Sequence, residues 1–335
     1  MKILIIGENN FNSLEKIYKK NFKVLNCKIV NIHPFWAPKN FFLRKFKNFQ
    51  EKYVYFLFCF IQNFFLKKKL TNDHFSYDLI LVFNGYHLDR KTIECIKKKS
   101  AGTIANIQTD NIFLKKNILK KNLDYFDKIF VWSKVLQHKI NKIYKIKKKK
   151  IYFLPFGFDQ FLIKNKNYKN IKNQILFYGS WDKDRENSLK QLDSKIIKIY
   201  GNGWEKANKN FKKKYVIKNE LVGAKLVKEV SESLICLNLF RPQAKNFINM
   251  RSFEVLGFDG RLVSEHSKEQ YLFFKSFKNV IYFKNLGEIS LIYQKMLNKK
   301  IRLIKTKKEN KKKVINHNYL NRAKYILKNE KNNIN

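Results

Sequence analysis

Short β-rich runs recur along the whole chain, with helical lengths between them. "KILIIG" (2–7), "DLILVF" (78–83), "GTIANIQ" (102–108), "KIFVWS" (128–133) and "KIYFLPFG" (150–157) fall in the first half. "NQILFYGS" (173–180), "KIIKIYGNG" (195–203), "LICLNLF" (234–240), "GRLVSE" (260–265) and "NVIYF" (279–283) restart the pattern in the second. Strands that alternate with helices form βαβ units, and βαβ units build parallel sheets. The expectation is an α/β chain of two Rossmann-like domains. They join in the polar stretch "FLIKNKNYKNIKN" (161–173). The predicted boundaries are 1–165 and 166–310, with a polar C-terminal helix and frayed tail over 311–335. Ligands of open parallel sheets bind outside the carboxyl ends of the strands. Two such domains facing each other would therefore place their strand-end loops around one cleft.

Hydrophobic content of 44% and aromatic content of 16% supply a real core and exclude a disordered chain. The net charge of +45 points, at face value, to nucleic acid or an anionic membrane. Lys is spread from end to end, however, whereas a nucleic-acid binder concentrates its charge in a stripe with stacking aromatics. Where Lys serves, this chain uses Lys, so a remaining Arg is more often one whose planar fork is needed. Arg241, Arg251 and Arg261 lie close together in sequence. Cys27, Cys59, Cys95 and Cys236 show no paired spacing and read as buried free thiols of a reducing compartment. The apolar run of "MKILIIGENN" is too short for a signal peptide and reads as a first strand.

The segment 41–70, "FFLRKFKNFQEKYVYFLFCFIQNFFLKKKL", is aromatic and flanked by Lys. Its apolar centre is shorter than the ~20 residues that span a bilayer. Two readings stay open: a helix packed on a sheet, or a helix lying in a membrane interface.

"NMRSFEVLGFDGRLVSE" (249–265) places Asn249, Arg251 and Glu254 at the front of an otherwise apolar helix. Free N–H groups and a positive dipole end make such a start an anion site, suited to a diphosphate. A Glu in the first turn can accept hydrogen bonds from two ribose hydroxyls, and an Arg beside it can fork onto phosphate or orient the Glu.

"RSFEVLGFDGRLVSE" resembles the C-terminal nucleotide-sugar motif of GT-B-fold glycosyltransferases. Its Asn-x-Arg-x-Phe-Glu core is closest to the spore-maturation-type members. "LPFGFD" (154–159), "FYGSWDKDR" (177–185), "IYGNGW" (199–204), "LICLNLF" (234–240) and "INHNYLNRAKYIL" near the end match the same family in order. The resemblance covers most of 150–330 well and the first half weakly. It implies an acceptor domain followed by a nucleotide-sugar domain. It also implies that Glu254 holds the donor ribose while Arg251 and the N–H groups near Asn249 face the diphosphate. Gly201 and Gly203 would let backbone approach the nucleotide, and Arg185 and Lys190 match a basic pair aimed at the diphosphate. Many members carry a second Glu eight positions before the ribose Glu; here that position is Asn246, which leaves stereochemistry and sugar contacts open. Asp182 and Asp184 in "WDKD" look superficially like a metal-binding pair but read as a polar turn. The family generally uses a helix end and basic side chains in place of a metal, so neither metal nor cofactor is expected.

A general base is sought on a strand-end loop of the first domain. Asp110 in "QTDN" is chosen, with His87 in "NGYH" next and Glu8 and His33 behind them. The expected activity is sugar transfer from a nucleotide-diphosphate sugar to an acceptor hydroxyl on a glycan or lipid-linked molecule, in cell-surface glycan or lipopolysaccharide synthesis. The expected location is cytoplasmic, peripheral on the inner face of an anionic membrane, with no specific nucleic-acid partner. The alternatives are a basic nucleic-acid-binding protein and an inactive glycosyltransferase relative.

Overall fold

The computed structural model describes residues 1–8, 10, 13–34, 46, 49, 53–113, 119–144, 150–163, 170–298 and 313–331. The chain forms two compact units, Met1–Pro155 with Arg322–Asn335, and Phe156–Asn321. Residues 41–45, 47, 48 and 50–52 of the aromatic segment, and 299–310 of the expected second domain, lie outside the described residues.

The first unit contains β1 (Lys2–Ile6), α1 (Leu14–Val24), β2 (Lys28–Ile32), α2 (Tyr55–Thr71), β3 (Tyr77–Phe83), α3 (Arg90–Lys97), β4 (Ser100–Gln108), β5 (Lys128–Val131), α4 (Lys134–Tyr144) and β6 (Ile151–Phe153). Its sheet is parallel in the order β2-β1-β3-β4-β5-β6. Chain direction across the sheet reverses at β1 and β3, a switch point of doubly wound folds. Ile3, Leu4, Ile5, Ile80, Leu81 and Val82 are fully buried there. Strands covered on both faces read as unbroken apolar runs, which is why "ILII" and "LILV" signal so clearly.

The second unit contains β7 (Lys172–Tyr178), α5 (Lys183–Leu189), β8 (Ile197–Tyr200), α6 (Lys209–Lys214), β9 (Val216–Lys218), α7 (Gly223–Glu232), β10 (Ser233–Asn238), α8 (Met250–Gly257), β11 (Leu262–Glu265), α9 (Lys268–Phe274), β12 (Val280–Phe283) and α10 (Gly287–Leu297). Its strands run parallel in the order β12-β11-β10-β7-β8-β9. That is the Rossmann order, with the switch point between β7 and β10.

The observed boundaries differ from 165 and 311. Residues from Phe156 onward belong with the second unit because Phe158 is bound there. Its N–H donates to His317 O at 3.2 Å, and a Cβ on Gly257 would lie 2.2 Å from its ring. The last helix, α11 (Tyr319–Lys331), is not a separate polar tail. From Arg322 onward it completes the first unit. Arg322 Nε donates to Pro155 O at 2.8 Å, and Glu330 Oε2 lies 3.7 Å from the buried Lys128 Nζ, which also donates to Asn329 O. Cys27, Cys59 and Cys236 are buried and free; Cys95 is free and half-buried. Burial raises the Cys27 thiol and pushes Cys236 up to about 12.

Candidate functional site

The carboxyl ends of β7 and β10 bring together side chains from four chain segments. β7 ends in Tyr178 and leads into Gly179 and the loop before α5. Asp182 caps α5, accepting from Arg185 N at 3.0 Å. That places Arg185 in the first turn, where its Nη1 donates to Ser180 O and its Nη2 to Leu239 O, both at 3.0 Å. Asn249 caps α8 by accepting from Ser252 N at 3.2 Å. Its Nδ2 donates to Asn238 Oδ1 at 2.8 Å, and Arg251 Nη1 donates to the same oxygen at 3.1 Å. Asn238, the last residue of β10, thus holds the start of α8 against the switch point.

Arg185 and Arg251 converge on Gly179. A Cβ there would lie 2.4 Å from Arg251 Nη2 and 3.3 Å from Arg185 Nη1, so any other residue would displace a guanidinium. Both guanidiniums lie over the Phe177 ring, and Arg251 stands 4.8 Å from the Tyr178 centroid. Arg241 joins the cluster through Asp182, whose Oδ2 lies 3.4 Å from Arg241 Nε and 3.5 Å from Arg185 Nε. Arg251 Nε is buried with no hydrogen-bond partner among the described residues. Desolvation, then the Arg251 charge, pull Arg185 down to about 9. Burial lowers Arg251 too.

Tyr178 OH donates to Glu254 Oε2 at 3.2 Å. Burial lifts the Glu254 carboxyl to about 7, although Arg251 and the Tyr178 hydroxyl both favour its charged form. Burial, and then the Glu254 charge, raise the Tyr178 phenol well above its ordinary value. The site therefore gathers Asn249, Arg251, Glu254 and Arg185 from the sequence reading. Tyr178, Gly179, Asn238 and Arg241 complete it, and sequence reasoning did not single out these four as site residues. Tyr178 and Gly179 come from a strand end about seventy positions before the helix motif, and Asn238 and Arg241 from the end of the neighbouring strand, so the fold brings them together; Arg241 alone carried a signal, as a scarce Arg near the others.

Lys190 sits past the far end of α5, with its Nζ 3.3 Å from Glu186 Oε1. Glu186 is buried. Burial raises its carboxyl, but the Trp181 indole N–H, the Asn208 N–H, Lys190 and Lys183 outweigh this and hold it below its ordinary value. Gly201 has φ +147°, and a Cβ there would lie 2.1 Å from Gly179 O, so its close approach is to the protein's own backbone. Gly203, at φ +84°, opens the short turn Trp204–Lys206.

In the first unit, Asp110 is exposed just beyond β4. It is bonded to the hydroxyl of Tyr86, whose phenol is raised by burial first and by Asp110 next. Asn84, in the left-handed region at φ 53°, accepts from Thr109 N at 2.9 Å and ties this loop to the end of β3. His87 is 1% exposed, its ring edge-on to Phe58, and its carbonyl accepts from Asn63 Nδ2 at 2.7 Å. Among the described residues no group of His, Cys, Asp and Glu is arranged to hold a metal ion.

The glycosyl transferase-like family matches residues 185–328. Curated protein sequences give no match. Solved structures match over almost the whole chain. Trehalose-6-phosphate synthase is similar at TM-score 0.67 and 11% identity, over 99% of each chain. An α-glucosyltransferase in complex with UDP and a 13-mer DNA is similar at TM-score 0.54 and 12% identity, over 95% of each. The lipopolysaccharide outer core galactosyltransferase WaaB is similar at TM-score 0.54 and 13% identity, over 97% of each. None of this favours the basic nucleic-acid-binding alternative. The chain is thus a GT-B-fold protein whose second half matches the glycosyl transferase-like family.

Proposed function

We propose that the protein transfers a sugar from a nucleotide-diphosphate sugar to an acceptor hydroxyl. The carrying observation is the cluster of Arg185, Arg251 and Arg241 at the switch point. These guanidiniums crowd one another and two of them are desolvated; Arg185 and Arg241 share the carboxylate of Asp182, while Arg251 faces that of Glu254. Crowded, desolvated cations are stabilised by an anion, and the start of α8 adds N–H groups and a positive dipole end. A diphosphate seated there gains charge as the glycosidic bond breaks, so positioned cations stabilise the departing group more than the bound donor. Glu254, above its raised pKa, accepts from the ribose hydroxyls. The leaving group is neutralised by Arg side chains without a metal, so EDTA is expected to leave turnover unchanged.

Asp110 is proposed as the base that takes the acceptor proton, held by Tyr86. Asp110→Asn is expected to lower turnover by ~10²–10⁴ with donor affinity kept. The spore-maturation-type motif and the likeness to a lipopolysaccharide galactosyltransferase support a cell-surface glycan or lipid-linked acceptor, reached from the cytoplasmic side. The test is thermal stability and calorimetry against UDP, GDP, ADP, CMP and their sugars. A ligand at 100 times its dissociation constant adds ~2.7 kcal/mol, so one nucleotide should stand out. Arg251→Ala should abolish that shift. Absence of any nucleotide effect would remove the proposal.

A further inference from the structure

α2 carries apolar side chains both on its buried face and on its exposed one. Inward, Phe58, Cys59, Leu66 and Leu70 are buried. Outward, Phe56, Phe60 and Phe64 stand four residues apart and are 84%, 62% and 53% exposed, with Leu57 beside them. Phe49 and Tyr53, also exposed, pack ring to ring at 5.0 Å. The helix cannot turn to hide its outward row, because buried amides fix its rotation. Asn63 Nδ2 donates to Cys59 O and His87 O, and Asn63 Oδ1 accepts from Asp89 N at 3.3 Å. Tyr55 OH donates to Tyr86 O at 3.3 Å. A water-facing helix ordinarily turns polar residues outward and apolar ones inward. Here Gln62 and Asn63 are inside and phenylalanines outside.

The row ends at Lys67 and Lys68. We propose that this face of α2 docks on an anionic membrane surface, with Phe56, Phe60 and Phe64 inserted among the headgroups and Lys67 and Lys68 against lipid phosphates. Charge selects lipid over a second copy of the chain. Two molecules at +45 repel each other, whereas anionic lipid attracts each of them. An aromatic row with Lys at its end lies along an interface. Among the described residues no helix is long and apolar enough to cross a membrane, so the contact is peripheral. This inference does not rest on the transferase reading, since vesicle binding and nucleotide binding are measured apart.

The test is co-sedimentation of the full chain with phosphatidylcholine vesicles, with and without phosphatidylglycerol, across a salt series. Binding to the anionic vesicles should begin at low salt. A part of it should survive at about 1 M salt, where charges are screened beyond about 3 Å. Phe56→Ser/Phe60→Ser/Phe64→Ser should lose that part, with partitioning down by at least about a hundredfold. Lys67→Gln/Lys68→Gln should lose only salt-sensitive binding. Circular dichroism checks folding, and Phe60→Ser alone, expected at about tenfold, serves if the triple variant fails to fold. No binding by the unaltered protein overturns the proposal, as does unchanged binding by the phenylalanine variants. So does a dimer that those variants make monomeric while vesicle binding stays the same, which would assign the face to a second copy.

Discussion

Glu254 is the residue whose chemistry the fold alters most clearly. Its carboxyl rises from 4.5 to about 7, chiefly through burial. Between those values the folded protein keeps a proton that the unfolded chain has lost, so stability falls as pH rises through that window and levels off above it. Glu254→Gln removes this proton. Its melting temperature should stay flat where that of the unaltered protein declines, a difference on the order of 2 kcal/mol, discounted for partial exposure. A matching decline in the variant would assign the slope to another group. The same substitution should weaken nucleotide binding at pH above 7 by ~1–3 kcal/mol, the scale of lost charge-assisted hydrogen bonds, as calorimetry reads it. Arg251, Glu254 and Asn249 were legible because one short helix start carries all three. Tyr178 and Asn238 were not, since their roles depend on which strands become neighbours. Lys190 matched by position only; its Glu186 partner one helical turn back draws its charge along α5.

Elements show the same division between local and global information. The central strands were readable from their apolar runs, whereas β2 and β9 passed unnoticed. Both lie at sheet edges, where a face or a rim meets water and the residues need not be apolar. The start of α8 near Asn249 was legible too. Asn249→Ala should cost about 1 kcal/mol for the cap alone. It also removes a donor to Asn238 Oδ1, so urea unfolding should show a larger loss than a surface cap gives. A loss of no more than about 1 kcal/mol would mean that the Asn238 contact contributes nothing. The aromatic segment could be read in two ways, as core or as interface. In α2 one face is buried and another exposes phenylalanines, which composition cannot express because hydropathy alone does not say which face the amides Gln62 and Asn63 occupy.

At the scale of the molecule, the two-unit α/β plan was legible, but the discontinuity of the first unit was not. A polar C-terminal helix gives no sign in its own residues that Lys128, about two hundred positions earlier, depends on it. Burial lowers the Lys128 ammonium, and Glu330 is the leading group opposing that. Glu330→Ala should destabilise the first unit by ~1–3 kcal/mol, because the buried Lys128 loses its carboxylate and keeps the Asn329 carbonyl. Chemical denaturation should show that loss, while calorimetry should show nucleotide binding to the second unit kept. Synthesis adds an order to this arrangement. A ribosome delivers the amino terminus first, and domains generally fold in the order they emerge. Here neither half finishes early: the second unit runs to Asn321 and the first needs Arg322 onward, so both wait for the same last helix to leave the exit tunnel. A nascent chain halted late in translation would therefore present two unfinished halves, and those are what chaperones and proteases would meet.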